Sequence, residues 1–276
     1  MASITDCVVE GLKYPFNDLK KLLGFGGLFA VISVLSVLIS AKSLDIFRLT
    51  ELAVETTEIN VSQLSFSQLP TGDIYILIGL GIASFIVSLF ILGYQYDVVK
   101  FSIDKREDLP GFGDILAIFV KGIKYFIVVL AYNLIPLIVL FGGVMLAGTS
   151  SIWPVIISGL LFIIAFFLLI MALNNMIAYD ELKKAFDLHE ITGNIANLGW
   201  VKYIGIIIFT IIVYMIIMVA VSFVLGFITV LFAAAINNQA MVIALVIAII
   251  EGLFIDSYVT VFSNRVCGSI YRESVK

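Results

Sequence analysis

The sequence predicts an all-α, polytopic membrane helical bundle. Six transmembrane helices form three hairpins, each preceded by a cytoplasmic-side interfacial amphipathic helix in a pseudo-threefold repeat. Three observations predict this. Hydrophobic residues make up 62% of the 276 positions and charged residues 13%, about half the ~25% charged share of an ordinary soluble domain. Six stretches, residues 23–41, 74–96, 123–147, 153–178, 203–232 and 241–262, are apolar almost throughout. Each is near the ~20 residues that a helix rising about 1.5 Å per residue needs to cross ~30 Å of hydrocarbon. Finally, Lys and Arg alternate between rich and poor connecting segments. The mean hydropathy of +1.15 and net charge of −4 exclude a soluble enzyme, a disordered chain and a nucleic-acid binder.

The chain reads as one integral membrane domain over 1–276, with repeat units at about 5–98, 110–180 and 187–270. The N-terminal segment places Ile4, Val8, Leu12, Phe16 and Leu19 at helical spacing. Pro15 should kink or end this piece, because proline removes a backbone donor and clashes with the preceding turn. The first span is no cleavable signal peptide: it starts far into the chain and lacks a cleavage site. The 43–73 segment then forms an acidic loop carrying the sequon Asn60-Val61-Ser62, a glycosylation candidate at Asn60.

Span two offers Gly79, Ala83, Ser84 and Ser88 for close helix contact. It ends near Asp97. The segment before span three carries Phe112, Ile115, Leu116, Phe119, Ile123 and Phe126 on one stripe, away from Asp114, Lys121 and Lys124. Span three contains Asn133 and Pro136, and Gly143 and Ala147 at close-contact spacing. Leu188, Ile191, Ile195 and Leu198 repeat the stripe before span five. Such a stripe cannot face water, yet its segment is too charged to span, so it should lie at the interface.

The side of each connection follows from its basic residues. The N-terminus, the connections after spans two and four, and the C-terminus hold fourteen Lys and Arg, from Lys13 to Lys276. The other connections hold only Lys42 and Arg48. Both termini are therefore expected in the cytoplasm of a multi-pass cell-membrane protein, with the 43–73 loop outside. Cys7 and Cys267 then face a reducing compartment, where a structural disulfide is not expected. Together with the single His189 they cannot build a four-ligand zinc site. No metal or cofactor is expected.

Three passages carry a family resemblance. Tyr14-Pro15-Phe16-Asn17-Asp18-Leu19-Lys20-Lys21-Leu22-Leu23 opens the chain, Gly93-Tyr94 closes span two, and Leu109-Pro110-Gly111-Phe112-Gly113-Asp114 precedes a Lys121-Gly122-Ile123-Lys124 run. In this order they resemble the archaeal multi-pass membrane family catalogued as domain of unknown function 4013. The resemblance implies an archaeal membrane and six spans. It implies no activity. Asp97 and Ile115 depart from the family's pattern.

Glu251 is the most informative single residue. It lies about ten residues into span six, near the bilayer centre, where a carboxylate costs several kcal/mol unless neutral, paired or wetted. Asp256 follows five residues later, about 140° around an α-helix, so the two should not share a face. Asn174 and Asn175 occupy a comparable place in span four. With Asp97 and Asn133 these are the intramembrane polar candidates. The leading expectation is a non-enzymatic protein that organises the membrane, contacts lipid or serves as a subunit of a membrane assembly. Its partners would be membrane lipids, a second copy or another membrane protein, and no nucleic acid. The alternative is a small channel or a proton- or cation-coupled carrier using Glu251 and Asp256. A minor alternative, an intramembrane aspartyl protease, rests on Gly111-Phe112-Gly113-Asp114 and a later Asp180, and requires two carboxyls sharing a proton.

Overall fold

A computed structural model of the chain describes residues 4–57, 71–148, 151–235 and 239–275. The sequon at Asn60 lies outside the described residues. All described elements are helical. They run α1 (Ile4–Lys13), a 3-10 turn (Tyr14–Asp18), α2 (Leu19–Thr57), α3 (Thr71–Ile103), α4 (Ile115–Ala147) and α5 (Trp153–Tyr179). A 3-10 helix (Leu182–Phe186), α6 (Leu188–Leu198), α7 (Trp200–Ala235), α8 (Ala240–Ile250), a π-helical turn (Glu251–Asp256) and α9 (Ser257–Ser274) follow. Among the described residues, six helices are long and apolar enough to cross a membrane. The protein is a multi-pass, helical membrane protein.

Local chemistry sets the helix ends. α1 stops at Lys13 and Pro15 sits at the start of the 3-10 turn, where its missing N–H costs nothing. Asp114 caps α4 by accepting the Ala117 N–H at 2.9 Å. Asp187 caps α6 by accepting the Glu190 N–H. Gly199 ends α6 at φ +91°, a backbone region that favours glycine.

The chain divides into two compact units. Unit 1 holds Met1–Leu23, Leu89–Ala220 and Tyr258–Lys276; unit 2 holds Gly24–Ser88 and Val221–Ser257. In unit 1, the core brings together Cys7 and Val8 of α1, Met171 and Met176 of α5, Ile191 and Ile195 of α6, Tyr203 of α7, and Phe262 and Ile270 of α9. Glycines let backbones meet there. A Cβ on Gly93 would strike the Ile118 carbonyl, and one on Gly122 would strike the Leu89 carbonyl. In unit 2, α2 meets the π-helical turn the same way: a Cβ on Gly252 would come within 2.5 Å of the Ala30 nitrogen. Lys42 and Asp73 pair at 2.8 Å in this unit.

Before α7 the structure departs from the sequence expectation in four respects. α2 runs to Thr57, so the predicted 43–73 loop begins as helix. No separate helix precedes span three: α4 is continuous from Ile115, and Phe112 lies before it, stacked on Tyr94 with centroids 4.8 Å apart. The predicted stripe there is not the packed one. Ile115 and Leu116 are 65% and 73% exposed, whereas Ile118, Gly122 and Val128 are buried. The α6 stripe is real but covered by protein: Ile191, Ile195 and Leu198 are buried in the unit 1 core, and Leu188 alone is exposed.

Candidate functional site

Polar side chains gather at the end of unit 1 that carries both termini, and α9 organises them. The sequence reading ended span six at residue 262, but the helix continues to Ser274 with most of its residues buried. Arg265 is 4% exposed. Its guanidinium reaches Glu10 at 2.7 Å, donates to the Arg106 carbonyl at 2.6 Å and lies over the Tyr14 ring at 4.1 Å. Arg272 shares Glu10 at 2.8 Å and donates to the Ser102 carbonyl. Ser102 in turn donates to the Arg265 carbonyl. A fork-shaped guanidinium suits this role, because it fills several acceptors at fixed angles while its flat face stacks.

The 3-10 turn after α1 is held against the 104–110 segment. The Tyr14 hydroxyl donates to the Asp108 carbonyl, Asn17 to the Glu107 carbonyl and Lys21 to the Leu109 carbonyl. These bonds tie the first passage of the family resemblance to the start of the third: Lys21 reaches Leu109 itself, and Tyr14 and Asn17 hold the two residues just before it. Tyr94, of the second passage, donates to the Pro110 carbonyl at 3.0 Å.

The predicted intramembrane polar residues go to separate partners. Asp97 pairs with Lys121 at 2.6 Å. Asn133 donates to the Val129 carbonyl of its own helix. Asn174 donates to Ile170 in the same way, and its buried carbonyl oxygen has no protein partner. Asn175 donates to the Lys184 carbonyl and accepts from the Tyr271 hydroxyl. Lys184 also ties Glu190 at 2.6 Å, so Asn175 and Lys184 dock α6 on α5 and α9. The Lys184 contact holds the Glu190 carboxyl below the usual glutamate value.

Asp114 and Asp180 line one groove with Lys121 and Lys124. Their carboxyls are not set up to share a proton. Asp114 is the α4 cap. Asp180 accepts from the Tyr96 hydroxyl at 2.6 Å and Lys124 at 3.0 Å, and these bonds lower its carboxyl below the usual range.

Glu251 and Asp256 belong to unit 2 and lie at the two ends of the π-helical turn. A π turn closes hydrogen bonds between residues five apart, so its first and sixth residues lie only about 50° apart around the axis. The expectation of separate faces, which takes about 140° from α-helical geometry, does not hold for this pair. Glu251 also borders a groove of about 420 Å³ with Val37, Thr229, Ile243 and Ile247. Among the described residues, no group of three or more His, Cys, Asp and Glu could hold a metal ion.

No curated protein and no solved structure matches the chain. A family described as proteins of unknown function (DUF4013) does match, over residues 76–226, more than half of the chain. The chain, with its six long apolar helices among the described residues, belongs to the DUF4013 family of proteins of unknown function.

Proposed function

We propose that this is a non-enzymatic protein of the cell membrane, with both termini cytoplasmic, that contacts lipid and organises the membrane or serves as a subunit of a membrane assembly. One observation carries the reading. At the termini end of unit 1, α9 occupies the interior, and its large polar side chains bind internal partners: Arg265 and Arg272 bind Glu10, and Tyr271 binds Asn175. A site that handles substrate keeps polar groups free to meet it; these are engaged with one another. The amphipathic α1 and α6 precede α2 and α7 in the manner of a repeat, and α4 carries its own first turns in place of a third such helix. Basic residues clustered at this end support its placement in the cytoplasm.

A second reading, a proton- or cation-coupled carrier, is favoured by Glu251, which borders a groove at the start of the π turn that ends at Asp256. One experiment separates the two. Purified protein in liposomes, loaded with a pH-sensitive dye and given a potassium gradient, should show no flux above empty vesicles. Flux that Glu251→Gln abolishes would replace the first reading with the second.

A further inference from the structure

We propose that the groove between α4 and α5, closed on one side by the 3-10 helix Leu182–Phe186, is a binding site for one hydrocarbon tail of a phospholipid whose phosphate meets Lys183. This deepens the lipid-contact reading and rests on it. The groove holds about 290 Å³ and is walled by Tyr132, Ile135, Pro136, Ile164, Leu168 and Phe186, among other apolar side chains. Tyr132 supplies its only side-chain polar atom, and that hydroxyl is spent on the Ala185 carbonyl at 2.7 Å. Phe186 stacks beside the Tyr132 ring, 6.2 Å between centroids. The lining therefore has nothing to offer a polar guest.

Its size lies at the lower edge of small-molecule sites, about 300 Å³, and its walls are the flanks of two spans whose outer residues are exposed, Ile135 at 64% and Ile164 at 55%. Hydrocarbon is what surrounds such flanks in a bilayer.

Charge identifies the head of the guest. In a 3-10 helix, positions three apart eclipse. Lys183 therefore stands on the same face as Phe186, which lines the groove. The neighbouring cations are committed: Lys124 to Asp180, and Lys184 to Glu190 and Asp187. Lys183 is 79% exposed and holds only Glu181 at 3.0 Å, itself half exposed. Such a surface pair is worth little and gives way to a phosphate.

The test uses full-length protein in vesicles of phosphatidylcholine and phosphatidylglycerol. The phosphatidylglycerol carries a photoactivatable diazirine at mid-chain, and cross-links are mapped by mass spectrometry. Cross-links should concentrate on residues 131–136 and 161–168, at least fivefold over the exposed α7 face at Val219 and Phe223. Ala165→Trp, which fills the groove, should bring them down to the α7 level. Lys183→Glu lies on the surface and leaves folding intact; it should lower groove labelling about fivefold, the ratio that about 1 kcal/mol for one basic residue near an anionic lipid corresponds to. Labelling spread evenly over both faces would overturn the groove and leave general lipid contact standing. Labelling of neither face would overturn the lipid-contact reading itself. Unchanged labelling in Lys183→Glu would overturn the assignment of the phosphate.

Discussion

Removing the Arg265 guanidinium should undock α1 while leaving the spans intact. The side chain is buried and bonds Glu10 and the Arg106 carbonyl while covering the Tyr14 ring. Breaking a buried pair by deleting one partner costs about 3–5 kcal/mol. Glu10 keeps Arg272 and is one-third exposed, which pulls the figure to the lower end. About 3 kcal/mol of lost docking energy corresponds to a roughly hundredfold rise in local opening. Cys7 reports this directly, because its thiol is 2% exposed in the core beneath α1. In a Cys267→Ala background, Arg265→Ala should speed maleimide labelling of Cys7 about a hundredfold. Arg265→Lys should fall between, since an ammonium keeps the charge but loses the fork and the stacking. Equal labelling rates in Arg265→Ala and the parent would refute the role given to α9.

Further outcomes follow from the same structure. Gly93→Ala and Gly122→Ala drive a methyl into a facing carbonyl and should each lower stability by about 1–3 kcal/mol in detergent thermal shift. Gly79→Ala, which meets nothing within 4 Å, should be neutral. Tyr271→Phe leaves the buried Asn175 carbonyl unpaired and should cost about 1–3 kcal/mol by the same assay. The docking of α6 should depend on acid. The Glu190 value is depressed below the ordinary 4.5 by Lys184, so its contribution is present above pH 4.5 and is lost as pH falls through the lower folded value. Amide protection factors in α6, which correct for the intrinsic pH dependence of exchange, should then fall on acidification, and Glu190→Gln should remove that dependence.

The spans were legible because lipid is a uniform solvent and demands only length and apolarity. All six appear, within a few residues at most ends. What packs against what was not legible. The α6 stripe at Ile191, Ile195 and Leu198 shows its period in the sequence, but the pattern does not say whether lipid or protein covers it. Residues 263–274 mix Ser, Asn, Arg and Glu and read as a polar tail. They are buried because partners far off in the chain satisfy them, Asn175 for Tyr271, Arg106 for Arg265 and above all Glu10, 255 positions from Arg265. The Glu251–Asp256 relation failed for a narrower reason: the spacing was read at 100° per residue, and a π turn changes that angle.

The placement of the 104–114 and 180–199 segments on the cytoplasmic side of the membrane, with Gly72 outside, is the claim on which the functional reading stands. Single cysteines at Lys105, Lys183 and Gly72, each in a background lacking Cys7 and Cys267, can be treated with a membrane-impermeant maleimide on intact cells. The account predicts labelling at Gly72 alone, with Lys105 and Lys183 reacting only after the cells are opened. Labelling of Lys183 from outside an intact cell would contradict it.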